Sequence, residues 1–190
     1  MREALIDLVS KHTPFDGIEK DHTVNTLAFL RQNENCTSTS NLAGHITASA
    51  WVLSPIPSAV LLTHHKKLNR WLQLGGHIEN DSTIHQAAHR EAVEESGIDR
   101  INILDDSIFD IDIHEIPARK GISEHLHYDI RFLFQAESTE FIVSSESNEL
   151  AWIKLTSIES LLPDDSMLRM WHKSKPYCAN LEASQDLPSS

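Results

Sequence analysis

Three glutamates close together in the sequence, Glu91, Glu94 and Glu95, are of a type and spacing that could hold a divalent metal ion. Hydrophobic spacing, a Ser or Thr start and a glycine stop predict that residues 83–96 form a helix. Because successive helical residues are rotated by about 100°, the three carboxylates project within about 100° of the helix circumference. They form either a metal-binding face or a solvated acidic stripe, which is the commoner role of adjacent glutamates.

Glycines on both sides of this helix favour the metal-binding interpretation. Gly75 and Gly76 form a predicted turn before the helix, and Gly97 ends it directly after the acidic residues. Mg²⁺ and Mn²⁺ prefer carboxylate oxygens and keep several of their waters. A dense carboxylate face beside an exposed backbone turn therefore suits either ion.

The segment from residue 76 to residue 98 resembles the Nudix box, the signature of a family of hydrolases. The pattern needs a glycine, an Arg-Glu pair, a Glu-Glu pair and a closing glycine followed by an apolar residue, all at fixed spacing. These positions are occupied here by Gly76, Arg90-Glu91, Glu94-Glu95 and Gly97-Ile98. So many matches at fixed spacing make the resemblance specific.

Two positions depart from the family pattern. Ser82 stands where the pattern has its first glutamate, and Ala92 stands where a larger aliphatic residue is usual. The missing glutamate is the usual partner of the arginine, which helps to orient the loop and the helix. We therefore expect the arginine to pair with Glu94 at the i+4 position, or with Glu79 or Asp81 from the preceding loop.

The resemblance implies an α/β fold, namely the Nudix α/β/α sandwich around a mixed β-sheet, and an enzyme that cleaves a diphosphate linkage. The implied substrates are nucleoside diphosphate derivatives, such as nucleotide sugars, dinucleotides and modified nucleoside triphosphates. The implied cofactor is Mg²⁺ or Mn²⁺, which neutralises charge on the phosphate oxygens while water attacks phosphorus. By the same resemblance, Arg90 orients the site, and the metal ligands are Glu91, Glu94, Glu95 and the carbonyl group of Gly75.

A further carboxylate from outside the box often acts as the base or as an extra ligand in this family. Glu146 and Glu149 are the candidates here, although each fits equally well as a surface residue.

Two other functions are compatible with the fold that the resemblance implies. A non-catalytic Nudix module would bind a nucleotide and pass the signal to a partner; Ser82 and the helical N-terminus motivate this alternative. An isomerase of the isopentenyl-diphosphate type is disfavoured, because neither Cys36 nor Cys178 has a convincing active-site context.

Residues 63–71 are the first candidate segment for substrate binding. This is the most basic stretch of an acidic chain, and His65, Lys67 and Arg70 are candidates for contacts with phosphates, with a solvated surface position as the equal alternative for each. Trp71 either stacks on a ring of the substrate or fills the core.

Residues 125–136 are the second candidate segment. They alternate like a strand and place His125, His127, Asp129 and Arg131 on one face. Polar residues opposite an apolar face favour a wet cleft that binds substrate, with an exposed sheet face as the alternative. A zinc site using the two histidines is a third interpretation, for which the sequence shows no third ligand.

Composition narrows the class of protein. The net charge of −12 argues against a binder of nucleic acid or of anionic membranes, but it permits a small anionic substrate whose charge a bound cation offsets. Two distant cysteines predict no disulfide framework. A charged N-terminus and no apolar run of about 18–20 residues predict a soluble, cytoplasmic protein. A homodimer stays open, since Nudix relatives are often dimers.

Hydrophobic periodicity divides the chain into three parts. Residues 1–41 are predicted to be a helical extension that packs on the main domain or serves as a lid or dimer contact, residues 42–165 the Nudix domain, and residues 166–190 a C-terminal helix and frayed tail. Strands are predicted at 45–55, 58–65, 108–116, 125–136 and 149–155, with a short apolar piece at 71–74 and helical segments running from 155 to about 173.

Overall fold

A mixed β-sheet lies between two helical layers. The computed structural model describes residues 1–66, 69–118, 123–142, 147–162 and 164–185. Within these ranges the sheet has eight strands: β1 (Gly44–Leu53), β2 (Ala59–His65), β3 (Arg70–Leu72), β4 (Leu74–His77), β5 (Ile101–Ile103), β6 (Asp110–Ile116), β7 (His125–Ala136) and β8 (Ser147–Lys154). The helices are α1 (Arg2–Lys11), α2 (Gly17–Gln32), α3 (Ile84–Ser96), α4 (Ile158–Leu161) and α5 (Asp165–Gln185), with a 3-10 turn at Leu155–Ser157.

The two long strands β1 and β7 form the centre of the sheet. They pair in parallel from Gly44 opposite Leu126 to Leu53 opposite Gln135. The other pairings are antiparallel: β1 with β2 and β4, β2 with β3 and β8, and β7 with β5 and β6. The predicted mixed sheet is therefore confirmed.

Alternate residues of β1 belong to two separate cores, one on each face of the sheet. Ile46, Ala48 and Val52 lie in a core shared with α1, α2 and α3. Trp51 and Leu53 lie in a second core shared with α5. Period-two burial on both faces, with helices on each side, makes the predicted α/β/α sandwich.

The N-terminal helices pack on the sheet through buried apolar residues such as Leu5 and Leu30. A buried carboxylate, Glu19 on α2, also ties them to both β6 and α5. It accepts hydrogen bonds from the Ile111 backbone N–H (3.2 Å) and from Lys173 Nζ (2.5 Å). The boundaries predicted at residues 41 and 165 stay predictions.

The C-terminal helix is longer than predicted. Its observed range runs past Pro176, although a proline inside a helix removes one backbone hydrogen bond. Tyr177 and Cys178, directly after the proline, pack against the second core, and this packing stabilises the continuation. Among the described residues, no helix is both long and apolar enough to cross a membrane.

Candidate active site

The acidic helix α3 begins and ends where the sequence predicts. The Thr83 side chain caps it by accepting a hydrogen bond from the Gln86 backbone N–H, and Gly97 ends it in the left-handed conformation at φ 65°. Ala88 and Ala92 are fully buried in the first core. Ala92, the departure from the usual larger residue, thus lies where a small side chain lets the helix approach the sheet closely.

Two glycines of β4 bring the strand against both its neighbours. A Cβ atom added to Gly75, which has φ +156°, would overlap Ser49 of β1. A Cβ atom added to Gly76 would lie 2.6 Å from the Glu91 carboxylate. The predicted turn is therefore wrong: both glycines lie in strand β4, paired with Ser49 and Ala48 of β1, and Gly76 leaves space that the Glu91 carboxylate fills.

Two of the three glutamates, Glu91 and Glu95, lie against the glycines of β4. Glu95 Oε2 accepts a hydrogen bond from the Gly75 backbone N–H at 3.1 Å. The Glu91 side chain is only 15% exposed, and burial raises the pKa of its carboxyl group above the ordinary value. The Glu94 side chain is 60% exposed. The carboxylates of Glu91 and Glu95 beside β4 offer oxygen donors, the type that Mg²⁺ and Mn²⁺ prefer.

Arg90 is anchored by a carboxylate one residue before the position where the family pattern has glutamate. Its Nε and Nη2 donate to the two oxygens of Asp81 at 3.1 and 2.9 Å. Its Nη1 donates to Glu91 at 2.9 Å and to Glu94 at 3.2 Å, and Nη2 also donates to the His77 carbonyl at 2.9 Å. The predicted pairings with Asp81 and Glu94 are confirmed. The hydrogen bonds from Arg90 lower the pKa of the Asp81 carboxyl group, which favours the ionised form beside the guanidinium.

The two predicted base candidates come from a segment about 50 residues after the acidic helix in the chain. Glu149 is an exposed residue of β8, opposite His64 of β2. Glu146 lies outside the described residues. The roles suggested for both stay predictions.

The basic segment forms the outer strands of the sheet. His65 pairs with Arg70 across β2 and β3, and Arg70 lies 3.8 Å from Asp164. Trp71 is half-buried, packs against the second core and lies edge-on to the His64 ring at 5.3 Å. Lys67 lies outside the described residues. The contact of these residues with substrate stays a prediction.

The structure disagrees with the prediction that Arg131 lines a substrate cleft. Its side chain is 3% exposed, and its guanidinium donates to Asp129, Asp110 and Asp112 at 2.8, 3.1 and 3.2 Å. Burial alone would lower the pKa of Arg131, but the three carboxylates raise it above its ordinary value. The guanidinium is saturated, so it is unavailable to a phosphate group.

Helix α5 completes this buried ion network. Its Arg169 donates to both oxygens of Asp110 at 2.8 and 3.0 Å, and Lys173, one turn later, donates to Asp110 at 3.1 Å. The face that carries Arg131 is therefore neither a wet cleft nor an exposed surface along its whole length, because α5 covers one end. The sequence feature that could have indicated this contact is the pair of basic residues four positions apart in the last helix, Arg169 and Lys173.

The other end of the same face carries a cluster of histidine rings, hereafter the histidine cluster. His127 lies 4.7 Å from His45 and 5.4 Å from His77 between ring centroids, and His125 lies 5.1 Å from His45. Burial, followed by the neighbouring histidines, lowers the pKa of His45 to about 4 and that of His127 to about 3. Both imidazoles are consequently neutral at pH 7. Sequence analysis missed His45 and His77, because only strand pairing brings them to His127.

Comparison with known proteins agrees with this geometry. A family model described as the NUDIX domain matches residues 44–175. Similar solved structures include an Ap4A hydrolase of C. elegans in a binary complex (TM-score 0.57, 19% identity, 71% of this chain and 98% of that chain). They also include a NUDIX family hydrolase from Clostridium perfringens (0.53, 22%, 70% and 97%) and the Nudix hydrolase RenU from M. smegmatis (0.51, 22%, 77% and 91%). No curated protein sequence matches the chain significantly.

Proposed function

Because the chain belongs to the Nudix family of hydrolases, we propose that it cleaves a diphosphate linkage in a nucleoside diphosphate derivative and needs a divalent metal ion. The observation that carries this proposal is the contact of Glu91 and Glu95 with Gly75 and Gly76 of β4. An acidic stripe facing bulk solvent would not be half-buried against backbone. The burial of these carboxylates supports a site built for a cation.

In the proposed site Glu91, Glu94 and Glu95 hold Mg²⁺ or Mn²⁺, together with the carbonyl group of Gly75. The ion, when bound, supplies neutralisation of charge on the phosphate oxygens. Arg90 acts as a positioning residue: its guanidinium donates hydrogen bonds to Asp81 in the loop, to the His77 carbonyl group of β4 and to Glu91 of the helix. These hydrogen bonds hold the acidic face of α3 towards Gly75 and Gly76 of β4.

Other proposed roles rest on residue chemistry and position alone. Glu149 and Glu146 are the candidates for the base that accepts a proton from the attacking water. His65, Arg70 and Trp71 are candidates for contacts with the phosphates and a ring of the substrate. His125 and His127 remain candidates for the substrate side of the site, while Arg131 is left out for the reason given above.

The non-catalytic alternative loses its main support. Ser82 motivated it, because an arginine without its partner would leave the acidic helix badly oriented. Since Asp81 binds the arginine through both carboxylate oxygens, the substitution at residue 82 leaves the anchoring intact. Catalysis is therefore the function that the site supports best.

A panel of diphosphate compounds tests the proposal. Purified protein should be incubated with nucleotide sugars, ADP-ribose, dinucleoside polyphosphates and modified nucleoside triphosphates, each with Mg²⁺, with Mn²⁺ and with a chelator. Dinucleoside polyphosphates belong in the panel because one of the similar folds is an Ap4A hydrolase. We expect metal-dependent cleavage of at least one compound, seen as nucleotide products by chromatography. Tight binding of a compound without any turnover would instead support a binding module.

A further inference from the structure

We propose that His45, His77 and His127 form a binding site for a transition-metal ion of the Zn²⁺ class, separate from the carboxylate site on α3. The proposal does not depend on the hydrolase activity. It assigns a function to the part of the sheet face that α5 leaves uncovered.

Strand pairing assembles the three histidines from distant parts of the chain. In the parallel pair of β1 and β7, His45 lies opposite His127, and in the antiparallel pair of β1 and β4, His77 lies opposite Thr47. Since side chains alternate along a strand, His45 and Thr47 point to the same face of the sheet. The three histidines therefore meet on one face, across three adjacent strands.

The spacing of the ring nitrogens is close to that of a metal site. One nitrogen from each of the three rings lies within 4.8 Å of the other two. Nitrogens bound tetrahedrally to zinc at 2.0–2.1 Å are about 3.3 Å apart, so a shift of about 1.5 Å or less converts the observed 4.8 Å limit into a ligand set.

His45 is buried with both of its ring nitrogens unpaired within the described part of the chain. It is 2% exposed, yet neither of its ring nitrogens has a hydrogen-bond partner among the described residues. His127 Nε2 is likewise buried without a partner there. Buried polar atoms in native proteins are nearly always satisfied, and an unpaired one calls for an explanation such as an ion. A metal ion shared by the two rings would satisfy both.

The donor type selects the class of ion. Neutral imidazole nitrogen suits Zn²⁺, Cu²⁺, Ni²⁺ and Fe²⁺, whereas Mg²⁺ and Ca²⁺ prefer oxygen. The histidine cluster and the acidic helix therefore select different ions. His77 is exposed, so the cluster has an entry path from solvent.

Neighbouring residues resemble the supports found around known metal ligands. His125 stacks on His45 at 5.1 Å, and its Nδ1 is 2.9 Å from the Ser123 carbonyl, which leaves Nε2 as the acceptor when Nδ1 carries the proton. Another histidine, His114, lies 5.5 Å from His127 and bonds to Asp112 at 3.4 Å. A fourth ligand position is thus open to His125 or to a water molecule.

The test is metal binding by the full chain after chelator treatment, with Co²⁺ as the spectroscopic probe and Zn²⁺ as the competitor. We expect one equivalent of Co²⁺ to bind with the visible absorption of nitrogen-ligated cobalt and to be displaced by Zn²⁺, with Mg²⁺ present in excess to occupy the carboxylate site. The variants His45→Gln and His77→Gln should each bind at least about a hundredfold more weakly, since even residues supporting a ligand change affinity by 10–100-fold.

Two controls separate this site from other sources of binding. His172→Gln changes a half-buried histidine on α5, outside the cluster, and should leave Co²⁺ binding unchanged. Glu95→Gln should leave the absorption of nitrogen-ligated cobalt unchanged, because it alters only the carboxylate site. Since His77 is exposed, its variant tests the proposal even if the buried His45 variant fails to fold.

Three results would overturn the proposal. One is the absence of Co²⁺ and Zn²⁺ binding at micromolar metal. The second is undiminished binding by His77→Gln in a protein whose circular dichroism and melting temperature match the wild type. The third is loss of the cobalt spectrum in Glu95→Gln, which would place the ion on the acidic helix. In the first two cases the rings form a packed cluster of histidines without a metal ion.

Discussion

Replacing Asp81 should free the Arg90 side chain, which holds the acidic helix α3 against the glycines of β4. Arg90 holds the two Asp81 oxygens at 3.1 and 2.9 Å, and its Nη1 lies 2.9 Å from Glu91. Without Asp81 the guanidinium loses its main anchor, and its charge is left to Glu91. Arg90 would then compete with a metal ion for the same carboxylate.

The magnitude follows from the number of bonds lost. Asp81→Asn removes the negative charge and one acceptor, and Asp81→Ala removes both acceptors. A hydrogen bond to a charged group contributes about 1.5–3 kcal/mol, and partial exposure of the Arg90 side chain, at 24%, places each bond at the lower end. We therefore expect losses of about 1.5 kcal/mol for asparagine and about 3 kcal/mol for alanine, which correspond to roughly tenfold and a hundredfold.

Mn²⁺ titration followed by electron paramagnetic resonance measures this effect without knowledge of the substrate. The dissociation constant for Mn²⁺ should rise by the factors above, and kcat/KM on any substrate should fall in parallel. Asp99→Asn, an exposed residue just after α3, is the matched control and should change neither. The double variant Asp81→Ala, Ser82→Glu restores the family pattern and should recover most of the loss. Mn²⁺ affinity within twofold of wild type for Asp81→Ala would refute this reasoning.

Three further variants test other parts of the molecule. Gly76→Ala should displace the Glu91 carboxylate from β4 and weaken Mn²⁺ binding roughly tenfold with little change in melting temperature. The control Gly17→Ala, where an added Cβ meets nothing within 4 Å, should leave metal binding unchanged. Arg131→Gln should lower the free energy of unfolding in urea by about 3–5 kcal/mol, because it leaves buried aspartates unpaired; an unchanged free energy with a raised KM would instead indicate contact with substrate. Glu19→Gln should lower the free energy of unfolding by about 3 kcal/mol. Burial would raise the pKa of the Glu19 carboxyl group, but the hydrogen bonds that it accepts lower this pKa from 4.5 to about 2. Because that pKa is lowered in the folded state, the stabilisation is complete above about pH 4.5 and lost as the pH falls toward 2, so acid titration of unfolding should show the difference between wild type and variant narrowing in this window.

Features set by local spacing were predictable from the sequence. The range Ile84–Ser96 of α3 agrees with the predicted helix, because its cap, its glycine stop and its apolar spacing all lie within a few residues of one another. The alternation of β7 likewise predicted which residues share a face. Short elements were harder: β5, at Ile101–Ile103, was not predicted, and the apolar piece at 71–74 proved to be parts of two strands, β3 and β4.

Features set by pairing between distant segments were not predictable. The polar face of β7 divides into a buried ion network and the histidine cluster, and the division depends on where α5 crosses the sheet. The partners of Arg131 come from β6 as well as from β7, and those of His127 come from β1 and β4. Nothing in one sequence states this register, so a polar face could be described but not assigned. The compensation of Ser82 by Asp81 was foreseen only as one of three alternatives, because a loop carboxylate has no periodic position.

The rate of metal-dependent hydrolysis in carboxylate variants tests the central claim most directly. The wild type, Glu91→Gln, Glu95→Gln and the exposed control Glu159→Gln should be compared with Mg²⁺ on the best substrate from the panel. If Glu91 and Glu95 hold the ion, both of their variants should lose at least about a hundredfold in rate while remaining folded, and the control should match the wild type. A folded Glu95→Gln and a folded Glu91→Gln that both hydrolyse the substrate at the wild-type rate would contradict the account.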